Sequence, residues 1–420
     1  MKRKNIIISC LILLLFIASF CIILSNSFSN NKNITEDEEL IGTYIDGEYS
    51  ENIPDKDTGY VVEKIVCDNN AVGKWDYDNW GITLTNLSEK NKCNIHFRKG
   101  VKLADTINLV DTTGKCPTVN DDGTVNVTSA ESENSLLCSA PDNYGNSYYF
   151  RGNVQNNYVK FANFYWRIVR INGDGSIRMI YDGTSAHANG EASEDRTIGQ
   201  SVFNEKYDDN AYVGYMYGTP GSSTYEETHK NINDSTIKKY VDSWYENNIK
   251  GTAYEQYLID NLFCNDRSIS TFAPDNYINS GYSKNSTAYR WYYGYWSSVY
   301  NNKSTLKCAR KNDSFTVNSD IGNTNLKYLV GIIDSDEIML AGGGGGSNFN
   351  YYLYTGQRIW ALSPNDFDGT HAFVCSIDYN GRASAANYVS DLISVRSVIN
   401  LKPNSLKSGD GTINNPYVIE

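Results

Sequence analysis

The sequence predicts an α+β protein: an N-terminal transmembrane helix, a small disulfide-stapled all-β module, and a larger mixed domain with two helices and antiparallel strands. Three observations carry this expectation. A long apolar run follows basic residues at the N-terminus; seven of the nine cysteines lie beyond it at spacings that suit disulfides; and period-two alternation of β-branched and aromatic residues recurs along the chain.

Lys2, Arg3 and Lys4 precede an uncharged, largely apolar run from Ile6 to Leu24. As a helix this run spans roughly 28 Å at about 1.5 Å per residue, close to a bilayer's hydrocarbon thickness. The basic flank holds the N-terminus in the cytoplasm and places the bulk of the chain outside. The partner implied is the membrane itself, through residues 6–24, in a single pass. The alternative is a cleaved secretory signal, whose apolar part usually covers about 7–15 residues; the chain is then secreted. Phe20 is too bulky to precede a lipidated Cys21, and Cys10 comes too early for one.

Residues 25–57 read as an acidic linker, with Glu36, Asp37, Glu38 and Glu39 in one block. The β module covers 58–99, from Val61-Val62-Glu63-Lys64-Ile65-Val66 to Cys93-Asn94-Ile95-His96-Phe97, with Trp75 and Trp80 as core. So short a module needs a staple. Residues 100–140 read as a turn-rich connector, 141–403 as the large domain, and 404–420 as a C-terminal tail strand. Neighbouring cysteines pair as Cys67–Cys93, Cys116–Cys138 and Cys264–Cys308, leaving Cys375 as a buried free thiol. A zinc site is the rival. The chain has no Cys-x-x-Cys pair, and its four histidines are scattered, so disulfides and no metal are expected.

In the large domain, Tyr148–Gly152 and Tyr158–Phe161 read as a hairpin. A second is expected from Phe164–Ile171 through Asn172-Gly173-Asp174-Gly175 to Ile177–Tyr181. After Asp234 or Ser235 as N-cap, Ile237, Val241, Trp244 and Tyr245 mark a helix stopped by Gly251. Tyr254, Tyr257, Leu258 and Leu262 suggest another, and Tyr328–Ile333 a strand. The run Gly342–Gly346 lacks the Lys-Ser or Lys-Thr of a phosphate cradle.

Composition narrows function. A net charge of -12 argues against a nucleic-acid partner, which needs a concentrated basic face. The 33 tyrosines, with abundant Asn, Ser and Gly, suit loops that recognise ligands at low entropic cost.

Near the C-terminus, Trp360-Ala361-Leu362-Ser363-Pro364, the turn Asp378-Tyr379-Asn380-Gly381-Arg382, and Val395-Arg396-Ser397-Val398-Ile399-Asn400-Leu401 follow in order. This order resembles the end of uncharacterised bacterial surface domains similar to the C-type-lectin fold of formylglycine-generating-enzyme-like (sulfatase-modifying-factor) proteins. The resemblance spans residues 141–420. Ser397 stands where such domains usually carry Pro, and Leu392-Ile393-Ser394 replaces a customary Gly, which implies a looser final strand. Formylglycine-generating enzymes use paired C-terminal cysteines to hold copper. Only Cys375 lies here, so neither that activity nor the cofactor is carried over.

The expectation is therefore a non-catalytic, membrane-anchored extracellular binding or adhesion protein with a lectin-like domain, taking a surface glycan or protein as ligand. The alternatives are a self-assembling structural envelope component and a divergent enzyme of the same fold. By analogy with the fold's C-terminal loops, the ligand-binding candidates are Asp366, Asp368, Tyr379, Asn387 and Tyr388. No catalytic residue is assigned. His371 and Cys375 are four residues apart on one strand face, too far to touch.

Overall fold

The computed structural model describes residues 41–58, 60–76, 79–86, 91–99, 115–128, 135–270, 290–292, 296–403, 405–406 and 408–419. The expected transmembrane segment, residues 6–24, lies outside them. Among the described residues no helix is long and apolar enough to cross a membrane. The chain divides into two compact units after Arg98.

The first unit contains β1 (Ile41–Ile45), β2 (Glu48–Ser50), β3 (Tyr60–Cys67), β4 (Val72–Asp76), β5 (Gly81–Thr85) and β6 (Cys93–Lys99). Four of these form a sheet in the order β2-β1-β6-β3, while β4 and β5 make a hairpin. β1 and β2 lie in the stretch expected to be linker. Asp46 and Gly47, at φ 52° and 89°, form the two-residue turn that joins them, and both require the left-handed region. β1 then runs parallel to β6, from Ile41 opposite Cys93 to Ile45 opposite Phe97. Val62, Trp75, Ile95 and Phe97 form the small core. Trp80 packs edge-on to Trp75 and donates its indole N–H to Pro54 O at 2.7 Å. The Cys67–Cys93 disulfide closes the unit, as expected for so few core residues.

The second unit is built on two sheets. The first contains β7 (Leu136–Pro141), β8 (Asn146–Arg151), β9 (Tyr158–Phe161), β10 (Phe164–Ile171) and β11 (Ile177–Gly183). The β10–β11 hairpin forms as expected, with Gly175 at φ 82° in its turn. The other expected hairpin does not form. β8 pairs with β7 and with the far end of β10, while β9 pairs with the near end of β10. β10 is long enough to serve both, so its neighbours lie side by side along it. Cys138 sits on β7 and is joined to Cys116, so this sheet starts at Leu136, ahead of Pro141.

Helix α1 (Thr236–Asn248) is capped by Ser235, whose hydroxyl accepts from Lys238 N at 3.2 Å; Ile237, Val241 and Tyr245 are buried. The second expected helix is only a single 3₁₀ turn, Glu255–Tyr257. The Glu255 carboxylate accepts from Gly251 N at 2.8 Å and from Tyr245 Oη at 3.2 Å, which ties it back to the end of α1. The chain then runs extended, with Leu258 bridging Leu401. Tyr328–Ile333 likewise forms no strand; only Gly331 bridges, to Val398. Helix α2 (Ser335–Ala341) is wholly buried and opens on a capping box between Asp334 and Glu337.

The second sheet holds β12 (Gln200–Ser201), β13 (Ile359–Phe367), β14 (Ala372–Ile377), β15 (Ala383–Tyr388) and β16 (Ile393–Ser394), in the order β12-β16-β13-β14-β15. β17 (Val398–Leu401) crosses to pair with β11, and β18 (Tyr417–Val418) pairs parallel with β9. Trp166 and Trp360 lie fully buried in the shared core. The Cys264–Cys308 disulfide is formed, and Cys375 is free and buried, as expected.

Candidate functional site

The antiparallel β14–β15 pair and the loops at its ends position the candidate residues. Its turn is closed by Asp378, whose Oδ1 accepts from Asn380 N at 2.8 Å and Arg382 N at 3.0 Å; Gly381 sits at φ 73°. At the other end, Asp368 Oδ1 accepts from Thr370 N at 2.8 Å and His371 N at 2.7 Å, turning the chain from β13 into β14. Phe373 faces Tyr388 across the pair.

These turns gather an aromatic surface. Tyr207 stacks flat on His371, with centroids 5.0 Å apart and planes at 9°. Tyr388 joins this group, 4.9 Å from His371 and 4.8 Å from Phe373. Tyr207 and Tyr388 remain 42% and 41% exposed. The Tyr207 segment is held in place by Ala372 N donating to Tyr207 O at 2.8 Å.

Two carboxyls adjoin the rings with opposite character. Partial burial pushes the Asp368 carboxyl up, but bonds from Thr370 and from the Thr370 and His371 amides outweigh it, so it stays below the ordinary carboxylate range. Asp366 lies on β13 with no such donors. Burial, and then the Asp368 charge, push it up to about 7. A surface of exposed rings beside one firmly ionised acceptor can stack a ligand's apolar face and accept its N–H or O–H groups.

Asp366 therefore carries a pH signature. Its folded pKa lies above its unfolded value of 3.8, so stability is greatest below that value and falls as pH rises towards about 7. Asp366→Asn is expected to remove this slope and to raise stability at pH 8, by on the order of 2 kcal/mol after solvent screening at a half-buried group. Urea unfolding of both proteins across this range measures it. An unchanged slope contradicts the assignment.

The structure brings Asp366, Asp368 and Tyr388 together and sends the other two candidates elsewhere. Asn387 is 5% exposed; its Nδ2 donates to Ser376 Oγ at 2.7 Å, and its Oδ1 accepts from Arg358. It supports the sheet and has no surface to offer a ligand. Tyr379, 64% exposed, stands at the rim of a separate groove of about 530 Å³. Gln200, Gln357, Arg358, Leu392 and Ser394 line it, together with the 3₁₀ turn at Glu194–Arg196. His187 braces that turn between Glu191 and Asp195, at 2.9 and 2.8 Å.

Sequence reasoning missed Tyr207, His371 and Phe373 as parts of the surface. His371 and Phe373 lie two residues apart where the chain enters β14, which is a usable signal; Tyr207 lies far upstream and leaves none. Cys375 is buried, and burial pushes its thiol well above the ordinary value, opposite to the shift of a reactive cysteine. Among the described residues, no group of three or more His, Cys, Asp or Glu side chains is placed to hold a metal ion. Comparison with family models, curated proteins and solved structures yields no match to the chain.

Proposed function

We propose that the chain is a membrane-anchored extracellular protein that binds a surface glycan or protein without transforming it, through a lectin-like large domain. The observation that carries this reading is the exposed Tyr207–His371–Tyr388 cluster beside the ionised Asp368. The three disulfides support an oxidising location, where such bonds persist. The apolar run at Ile6–Leu24 supports the anchor.

Tyr388→Ala and Asp368→Asn test it. In glycan arrays and pull-downs from cell envelopes, each is expected to weaken capture by about tenfold, the usual effect of losing an aromatic anchor or a charged acceptor. Tyr379→Ala leaves capture at this surface unchanged. Capture that survives the Tyr388 and Asp368 changes at full strength overturns the proposal.

A further inference from the structure

Helix α1 carries an amine where a lysine rarely goes. The Lys238 side chain is 2% exposed, and its Nζ lies 2.8 Å from Asp242 Oδ2 and 3.2 Å from Asp234 Oδ1. The Asp242 side chain is 9% exposed, and its Oδ1 is buried without a hydrogen-bond partner. The Tyr215 hydroxyl is also buried and unpartnered, and both carboxylates push its phenol further up. An ion pair so placed has lost its hydration and recovers only part of that cost from mutual attraction.

We propose that Lys238 and Asp242 condense into an intramolecular amide, with Asp234 relaying the proton. The two residues are four apart on one helix face, where side chains meet directly, so the ring closes without disturbing α1. Burial raises the Asp242 carboxyl above the ordinary value, which favours the neutral acid that Nζ attacks once its proton has passed to that carboxyl. Nζ attacks Cγ and the N–C bond forms. The Asp234 carboxylate takes a proton from nitrogen and returns it to the departing oxygen; the Cγ–O bond breaks, and one water leaves. No oxidant, reductant or cofactor enters the balance. The product replaces a buried ion pair by a neutral amide and pins the first turns of α1.

Mass spectrometry of the purified full chain tests this directly. The wild-type protein is expected to weigh one water less than its sequence and three disulfides account for, and fragment spectra of a chymotryptic digest are expected to join Lys238 to Asp242. Lys238→Arg keeps the charge but cannot form the bond, and is expected to regain full mass. Asp234→Asn is expected to slow bond formation by about a hundredfold, the usual worth of a positioned proton relay, and Asp234→Glu to restore it. Full mass in the wild type, with Lys238 recovered in an unbridged peptide, overturns the proposal. So does a water deficit that persists in Lys238→Arg. An Asp234→Asn protein bridged as fast as the wild type overturns the relay.

Discussion

Asp182→Asn is expected to cost the large domain about 3–5 kcal/mol, enough to leave much of it unfolded. Asp182 lies on β11, completely buried, and one carboxylate holds several guanidinium groups. Its Oδ1 accepts from Arg196 Nε at 3.0 Å, Arg196 Nη2 at 2.7 Å and Arg396 Nη2 at 2.7 Å. Arg167 Nη1 stands 4.0 Å from Oδ2, and all four side chains are 0% exposed or nearly so. Burial, joined by the Arg196 and Arg167 charges, depresses the Arg396 guanidinium to about 10, even with Asp182 beside it. Without the carboxylate, three cations face one another in a medium that solvates none of them. Arg396 also donates to Tyr181 O at 2.6 Å and Leu353 O at 3.1 Å, so the same loss frees the segment leading into β17. Urea unfolding followed by tryptophan fluorescence measures the change. A loss below about 1 kcal/mol contradicts the view that this carboxylate anchors the network.

The second large effect is expected from Cys264→Ser with Cys308→Ser. The bridge spans a sequence separation of 44, and a loop of that size contributes about 3–4 kcal/mol by restricting the unfolded chain. It also holds Cys308 where its backbone N–H donates to Asn143 Oδ1 at 2.7 Å, beside the start of β8. The expected result is a lower denaturation midpoint with a steeper slope, because the unbridged unfolded chain exposes more surface, and faster cleavage by protease at native temperature. An unmoved midpoint shows that packing around β7 and β8 holds this region without the covalent link.

Much of the architecture was legible because local signals agreed with tertiary demands. The β10–β11 hairpin combined strict alternation with a glycine turn, and α1 combined an N-cap serine with a single apolar face. Each paired cysteine found its sequence neighbour. Elsewhere a nearby signal misled. The acidic block at Glu36–Glu39 reads as linker, yet directly after it the apolar alternation and Asp-Gly turn of Ile41-Gly42-Thr43-Tyr44-Ile45-Asp46-Gly47 specify a hairpin. Tyr254, Tyr257 and Leu258 have helical spacing, but Glu255 is bound to the end of α1, and that contact is invisible in sequence. Asp334-Ser335-Asp336-Glu337 was a readable capping box before an apolar run.

The candidate site was half legible. Asp366, Asp368 and Tyr388 are brought together because β13, β14 and β15 are consecutive in both chain and sheet. Asn387 is turned away from them because Arg358 draws its carbonyl inward, and Tyr379 lies apart because the β14–β15 turn carries it to the opposite end of the strand pair. Tyr207 reaches the surface only through its backbone bond to Ala372.

The proposed function requires the chain to work in an oxidising exterior. Acid quenching and alkylation of intact producing cells, followed by mass spectrometry, tests this most directly. Cys67, Cys93, Cys116, Cys138, Cys264 and Cys308 are expected to be protected as three disulfides, and Cys375 to be alkylated only after denaturation. Recovery of Cys67, Cys93, Cys264 and Cys308 as free thiols contradicts an oxidising exterior.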